Sequence, residues 1–398
     1  MNRISISEVT GKVQLLPPLP AAVQKLLHLT KDMEVNTEEV AQVVSTDEVL
    51  TGRILRVANS AAYGLSQKVS TISQAMVVLG LDGIRSLAIG VTLMNYQAGK
   101  GATPSLKRED LWHHAFAAAS AAQLMASHFQ YENWEEAFVG GMLHDIGKIV
   151  LAECFPKQYE LALQQAAEGR LPLHMTENNI FGIHHAALGA EICRQWRMPD
   201  HLVQMVGQNQ LSTQPDFPSN GHNRMCHAVR LGDGMAKLAR IGLDGDPNIA
   251  ADFLQIIEKE HLSLKQIRHL IRRLGEEMRK VEAFFMFEKT SVPNPEGEGM
   301  DSIGVWVADP RDHEVLEMAL LAMGFQLASA AEMEGRQQPL AAVVHDDSLK
   351  TKLREVFAQQ GVKLLDFGDW RKQHTSPEKF IQLNILKLDA WLLKNLKN

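Results

Sequence analysis

The chain has 398 residues, 45% of them hydrophobic and 22% charged, enough length for two or more buried cores and a composition unlike that of a disordered or fibrous chain. A net charge of −7 gives no basic footprint for nucleic acid, and no stretch of about 20 apolar residues offers a membrane span. Three widely separated cysteines, Cys154, Cys193 and Cys226, argue against a disulfide framework or a cysteine-based zinc site and fit a reducing cytoplasm, and the first residues hold no apolar run of the signal-peptide kind.

Residues 1–290 read as helix almost throughout, because Ala, Leu, Met, Gln and Glu dominate and apolar residues recur at three and four. "LLPPLP" at 15–20 is a stiff lead-in. "VNTEEVAQVV" opens a helix with Asn36 or Thr37 as cap and acidic residues in its first turn. "STDEVLTGRILRVANSAAYG" is the next helix, capped within Ser45–Asp47 and stopped by Gly64. "STISQAMVVLGLDGIRSLAIGVTLM" reads as two helices broken near Gly80–Gly83. "EKTSVPNPEGEGMDS", rich in Pro, Gly and Glu, is an exposed linker. Beyond it, short β-branched runs ("IGVWVAD", "FQLASA", "LAAVVHDD", "VKLLDFG") alternate with helical segments such as "PRDHEVLEMALLAMG" and "SLKTKLREVFAQQG", the pattern of a small parallel α/β domain. "FIQLNILKLDAWLLKNL" reads as a closing amphipathic helix, and "FFMF" at 284–287 as an apolar anchor.

Four residues suggest chemistry. His114 falls on the apolar stripe Leu111, His114, Ala118, Ala122, Met125, with His113 turned about 100° away. His144 and Asp145 stand side by side in "GMLHDIGKIV", on a helical face with Ala137, Gly140, Gly141, Gly147 and Leu151 whose small residues admit a close neighbour. Asp233 lies on the stripe Met225, Val229, Asp233, Ala236, where a carboxylate is costly unless a cation or donor meets it. Each has a plain structural explanation when taken alone: a hydrogen-bonded core histidine, or a carboxylate paired with an arginine. Together they form the His and carboxylate set that a divalent cation needs from several helices.

This set resembles the HD superfamily of metal-dependent phosphohydrolases, whose pattern is His, His-Asp, then a distant Asp. More closely, the chain resembles the HDOD family, the HD-related output domain of bacterial signalling, over about residues 12–240. The segments "LPPLP", "STDEVLTGRILRVANSAAYG" with its Asn59–Ser60 pair, "TISQAMVVLGLDGIRSLAI", "LWHHAFAAA", "GMLHDIGKIVL" and "FGIHHAALGAEICRQWRMPDHL" carry the resemblance in order. It implies a cation site at His114, His144, Asp145 and Asp233, with His185 as one further ligand and His184 beside it. Relatives that cleave cyclic di-GMP carry a paired histidine where this chain has Gln208 and Asn209, poor ligands for a transition metal, and no basic catalytic candidate follows except Arg224. Lys148 would contact a phosphate in an active relative; otherwise it is a solvated helix-surface lysine.

The expected fold is therefore multidomain: an all-α HDOD module over 1–290, a linker over 291–302, and a receiver-like (flavodoxin-type) α/β domain over 303–398. In that last domain Asp309 stands alone where a receiver has an acidic pair, Asp346 and Asp347 end a strand, and no phosphorylation is expected. The expected function is non-catalytic signal output through protein partners in a bacterial cytoplasm, with a relict site for one divalent transition metal. The alternative is a metal-dependent phosphohydrolase acting on a nucleotide or cyclic dinucleotide. A relict site that binds metal or nucleotide and switches partner binding is a third reading.

Overall fold

The computed structural model describes residues 4–285 except 20–23, 25–36, 47, 60–64, 66, 95–98, 100, 132–133, 135, 168–170, 209–220, 247 and 250–252, and beyond them five short strands between 302 and 384. The N-terminal part is helical: α1 (Ile6–Gln14), α2 (Thr37–Ser45), α3 (Glu48–Ala58) and α4 (Ile72–Met94) lead to α5 (Arg108–His128). Then follow α6 (Glu136–Leu143), α7 (Ile146–Cys154), α8 (Pro156–Ala167), α9 (Leu173–Phe181), α10 (His185–Gln195), α11 (Asp200–Gly207) and α12 (Gly221–Leu238). A two-residue strand β1 (Asn248–Ile249), α13 (Phe253–Lys259) and α14 (Leu264–Phe285) complete it. Among the described residues no helix is long and apolar enough to cross a membrane.

Among the described residues two hydrophobic cores form. The smaller joins α2, α3 and α4 through Val40, Val44, Leu50, Ile54, Ile72, Ile84 and Val91. The larger surrounds α5, which is buried on every side from Leu111 to Ala122 and packs against α6, α12 and α14. The single inward stripe expected for this segment is therefore too narrow. His113 is also buried, on the α14 side, with its Nε2 3.2 Å from Glu282 Oε1. The break expected in α4 is at Gly80, whose φ of +75° a side chain would resist. The chain before it is held by Asn59: its Nδ2 donates to Leu55 O (2.8 Å) and Val69 O (2.7 Å), and Val69 N donates to its Oδ1 (2.7 Å). That amide acts as a helix-end clasp. Ser60 and Gly64 lie outside the described residues.

The lead-in docks on α10, where Trp196 Nε1 donates to Pro17 O (3.3 Å) and Gln195 Nε2 to Leu16 O (3.4 Å). Past residue 300, strands β2 (Ser302–Trp306), β3 (Gln326–Ala328), β4 (Ala342–His345) and β5 (Lys363–Asp366) form one parallel sheet in the order β3-β2-β4-β5. These coincide with the four runs read as strands. Within the segment read as a closing helix, β6 (Leu383–Asn384) instead pairs antiparallel with β1, its backbone bonded to Ile249 and Asn248. Met286 and Phe287 of the apolar run, the linker up to Asp301, Asp309, Asp346, Asp347 and the helices expected between the strands lie outside the described residues.

Candidate metal centre

The residues 136–154 do not form one helix, as the shared face drawn for His144 assumed. Helix α6 ends at Leu143 and α7 begins at Ile146, so His144 and Asp145 form the joint between them. A joint explains how two adjacent side chains reach one point, which a continuous helix would not allow. His144 comes from this joint, His114 from mid-α5, Asp233 from α12 and His185 from the first position of α10.

These five residues are brought together in a buried cluster. His114 Nε2 is 3.0 Å from Asp233 Oδ1, and His144 Nε2 lies 3.3 Å from Asp145 Oδ2 and 3.7 Å from Asp233 Oδ1. His185 Nε2 is 3.6 Å from Asp145 Oδ1. None of the five side chains is more than 5% exposed, so water cannot screen these charges.

Two histidines have fixed tautomers. His144 Nδ1–H donates to Gly141 O (2.6 Å), since a carbonyl can only accept. His185 Nδ1–H donates to the Glu177 carboxylate (Oε2, 2.5 Å), which also takes the His185 backbone N–H (2.9 Å) and, on Oε1, the Tyr159 hydroxyl (3.1 Å). Both Nε2 atoms then point inward, and both lack an aligned hydrogen-bond partner, as does Asp145 Oδ1. An imidazole held at one nitrogen by a carbonyl or carboxylate, with the other nitrogen open, is the arrangement that orients metal-ligating histidines.

The electrostatics agree. Burial alone would lower the His144 imidazole, but the Asp145 and Asp233 carboxylates beside it outweigh burial and carry its pKa up to about 10. Burial would raise Asp145 and Asp233. His144, Lys148 and His185 hold Asp145 well below the usual carboxylate range, and Lys237 with His114 and His144 does the same for Asp233. Glu177 is also held down, against its burial, by His185. Around this centre the carboxylates of Asp145, Asp233, Asp244 and Glu177 face two ammonium groups, Lys148 and Lys237. The carboxylates outnumber the ammonium groups; a divalent cation would supply positive charge here, and in its absence a proton on His144 supplies part of it. The mixed imidazole and carboxylate donors suit Mn²⁺, Fe²⁺, Ni²⁺ or Zn²⁺.

Lys148 is not solvated. It is fully buried, with Nζ 2.7 Å from Asp145 Oδ2 and 2.6 Å from Asp244 Oδ2. Lys237, Asp244, Glu177 and Tyr159 escaped sequence reasoning. Lys237 stands one turn after Asp233, and that spacing was the available signal. Asp244 sits between glycines in "GLDGD" and resembles any polar turn. A cavity of about 260 Å³ lined by His114, Leu163, Lys237, Arg240, Leu243 and Asp244 leads to the centre. His184 caps α10, accepting from Ala187 N (3.3 Å), and burial beside His185 pushes its pKa down to about 4. Arg224 stacks its guanidinium 5.0 Å over the Tyr131 ring. The Gln208 amide oxygen accepts from Cys226 Sγ (3.6 Å). Asn209 lies outside the described residues.

Residues 16–211 match the HDOD domain family. The chain carries an HDOD domain. A crystal structure of an HDOD domain protein of unknown function from Geobacter sulfurreducens superposes with a TM-score of 0.57 at 22% identity, over 70% of this chain and 98% of that one. A relative from Treponema pallidum, itself uncharacterized, is 22% identical over 50% of this chain and 38% of its own length. A Vibrio cholerae protein named cyclic di-GMP phosphodiesterase CdgJ is 27% identical over 33% of this chain and 29% of its own. The chain thus spans well under half the length of either curated relative. The HDOD match ends before Asp233 and Asp244; Asp233 was expected from its place on the α12 stripe, and Asp244 enters the centre on geometry alone.

Proposed function

We propose that this protein is a signal-output module that acts through protein partners without catalysis, and that its HDOD domain keeps a single-cation site at His114, His144, Asp145, His185 and Asp233. The observation that carries the reading is the pair of inward Nε2 atoms on His144 and His185 beside the open Asp145 Oδ1, all buried. A bound divalent ion would supply Lewis acidity and charge there. The chain's own residues hold the ring orientations through Gly141 O and Glu177, and hold Asp145 and Asp233 as carboxylates. Hydrolysis of a phosphoester needs more: groups that stabilise charge on the phosphoryl oxygens, and in two-metal sites a second ion. The place of the paired imidazoles is held by Gln208, whose amide is engaged by Cys226.

The alternative is an HD-type phosphohydrolase. It is favoured by the same intact His and Asp constellation and by the partial likeness to a protein named as a cyclic di-GMP phosphodiesterase. We also read the segment from residue 303 as a receiver-like interaction domain, supported by its parallel strand order with β2 between β3 and β4. The test adds Mn²⁺, Fe²⁺, Ni²⁺ or Mg²⁺ in turn and follows several phosphoesters and cyclic dinucleotides, with His144→Ala as control. Equal background in both proteins is expected. Metal-dependent turnover abolished by the substitution would replace the output reading with the hydrolase.

A further inference from the structure

Two buried ammonium groups distinguish this centre from a simple His and Asp site. Each bridges two carboxylates. Lys148 Nζ joins Asp145 Oδ2 to Asp244 Oδ2 (2.7 and 2.6 Å), and Lys237 Nζ joins Asp244 Oδ2 to Asp233 Oδ2 (3.2 and 3.3 Å). The result is a chain of alternating charge, Asp145, Lys148, Asp244, Lys237, Asp233. A cation shared by two carboxylate oxygens is also what a bridging metal ion provides.

Among the described residues, the ligand-forming side chains fall into two overlapping groups. One is His114, His144 and Asp233; the other is His114, Asp145 and Asp244, with ligand atoms in each within 4.8 Å of one another. The first group contains the open His144 Nε2. In the second, both carboxylates already share one cation, the Lys148 ammonium. Asp145 Oδ1, in a residue only 3% exposed, lacks a hydrogen-bond partner and faces His185 in the first position, while Oδ2 of the same carboxylate faces Lys148.

Asp244 is placed there by a built loop. Gly242 has φ +68° and Gly245 φ +80°. A Cβ at 242 would lie 2.2 Å from His114 N, so the loop runs directly against the backbone of α5. Leu243 N donates to Asp110 O (3.1 Å), and Asp246 N donates to Asp244 Oδ1 (3.3 Å). These contacts deliver the carboxylate to a fixed point beside Asp145.

We propose that Lys148 is the resident cation of a second metal position between Asp145 Oδ2 and Asp244 Oδ2, with the Asp145 carboxylate shared with the first, so that removing its ammonium lets the protein take one more divalent ion. The inference rests on reading the centre as a cation site. It also gives that reading a cause. An ammonium balances the carboxylates but has no open coordination position, so it cannot bind and acidify a water or share a phosphoryl oxygen with a neighbouring ion.

The experiment uses the full chain, stripped of metal and titrated with Mn²⁺, with free Mn²⁺ followed by electron paramagnetic resonance. Lys148→Met preserves length and removes the charge. It should bind one more Mn²⁺ per chain than the unaltered protein, and its thermal midpoint should rise with Mn²⁺ by more than that of the unaltered protein. Lys148→Met combined with Asp244→Asn removes a ligand of the second position and should return the count to that of the unaltered protein. If Lys148→Met unfolds without metal, refolding is followed against Mn²⁺, and recovery should need one equivalent more than the unaltered protein binds. An unchanged count, or failure to recover at any Mn²⁺ concentration, overturns the proposal. The readout is a difference. No ion in the unaltered protein with one in Lys148→Met would refute its single-cation site and leave this inference standing; one in each would do the reverse.

Discussion

Asn59→Ala tests whether the Asn59 segment is a structural clasp or a recognition surface. Asn59 is half-buried and makes three hydrogen bonds of 2.7–2.8 Å, two donated to Leu55 O and Val69 O and one accepted from Val69 N. Alanine removes all three and leaves the Val69 N–H and C=O without those partners. At about 1 kcal/mol net per bond, reduced because water reaches a half-buried group, the expected loss is about 2 kcal/mol. It should fall on the smaller core around Val44, Ile54 and Ile84, which the clasp closes. Urea unfolding followed by circular dichroism would show a lower midpoint. Metal content should hold, since the His114 centre sits within the larger core. A variant within 0.5 kcal/mol of the unaltered protein (about the scatter expected for a neutral surface change) that loses only partner binding would refute the clasp.

Three further outcomes are expected. Gly147→Ala would place a Cβ 2.1 Å from His185 O, so α7 must move from α10; a loss of about 1–3 kcal/mol and weaker Mn²⁺ binding should appear together in melts and titrations. His144, raised to about 10, contributes stability that is complete below its unfolded pKa of about 6.5 and is lost as pH rises through about 10, whereas the depressed Asp145 and Asp233 contribute above about 3.9 and lose it as pH falls; metal-free protein should therefore weaken at both ends, and His144→Gln should flatten the alkaline limb of urea midpoint against pH. Limited proteolysis should cut first within 291–302, where Pro, Gly and Glu cannot build a core, and release a fragment of about 100 residues; first cuts within 12–240 would move the boundary.

The helical module was legible because its pattern is local. Periodic apolar residues, the break at Gly80 and the strand runs after residue 300 depend on neighbours in sequence, and those elements stand where the pattern put them. The residues His114, His144, Asp145, His185 and Asp233 were legible for a different reason: imidazoles and carboxylates on apolar faces need a partner, and the family likeness set them in order. Their environment was not legible. Whether Lys148 faces water or Asp244 is decided by the α6–α7 joint and by a loop 96 positions further along the chain, contacts that no sequence window contains. The same limit misled the reading of α5, whose burial on all sides comes from α6, α12 and α14 rather than from its own periodicity.

The centre's chemistry therefore turns on its counter-ions more than on its ligands. The His and Asp constellation alone would suit a hydrolase or a relict equally, because both need imidazoles and carboxylates at one point. The two ammoniums add a charge balance that the ligands alone do not give. Each lies within 3.3 Å of two carboxylates, so each balances charge that a bridging ion would otherwise neutralise. Breaking such a buried pair from one side costs about 3–5 kcal/mol. In this arrangement the lysines carry much of the charge balance of the centre themselves.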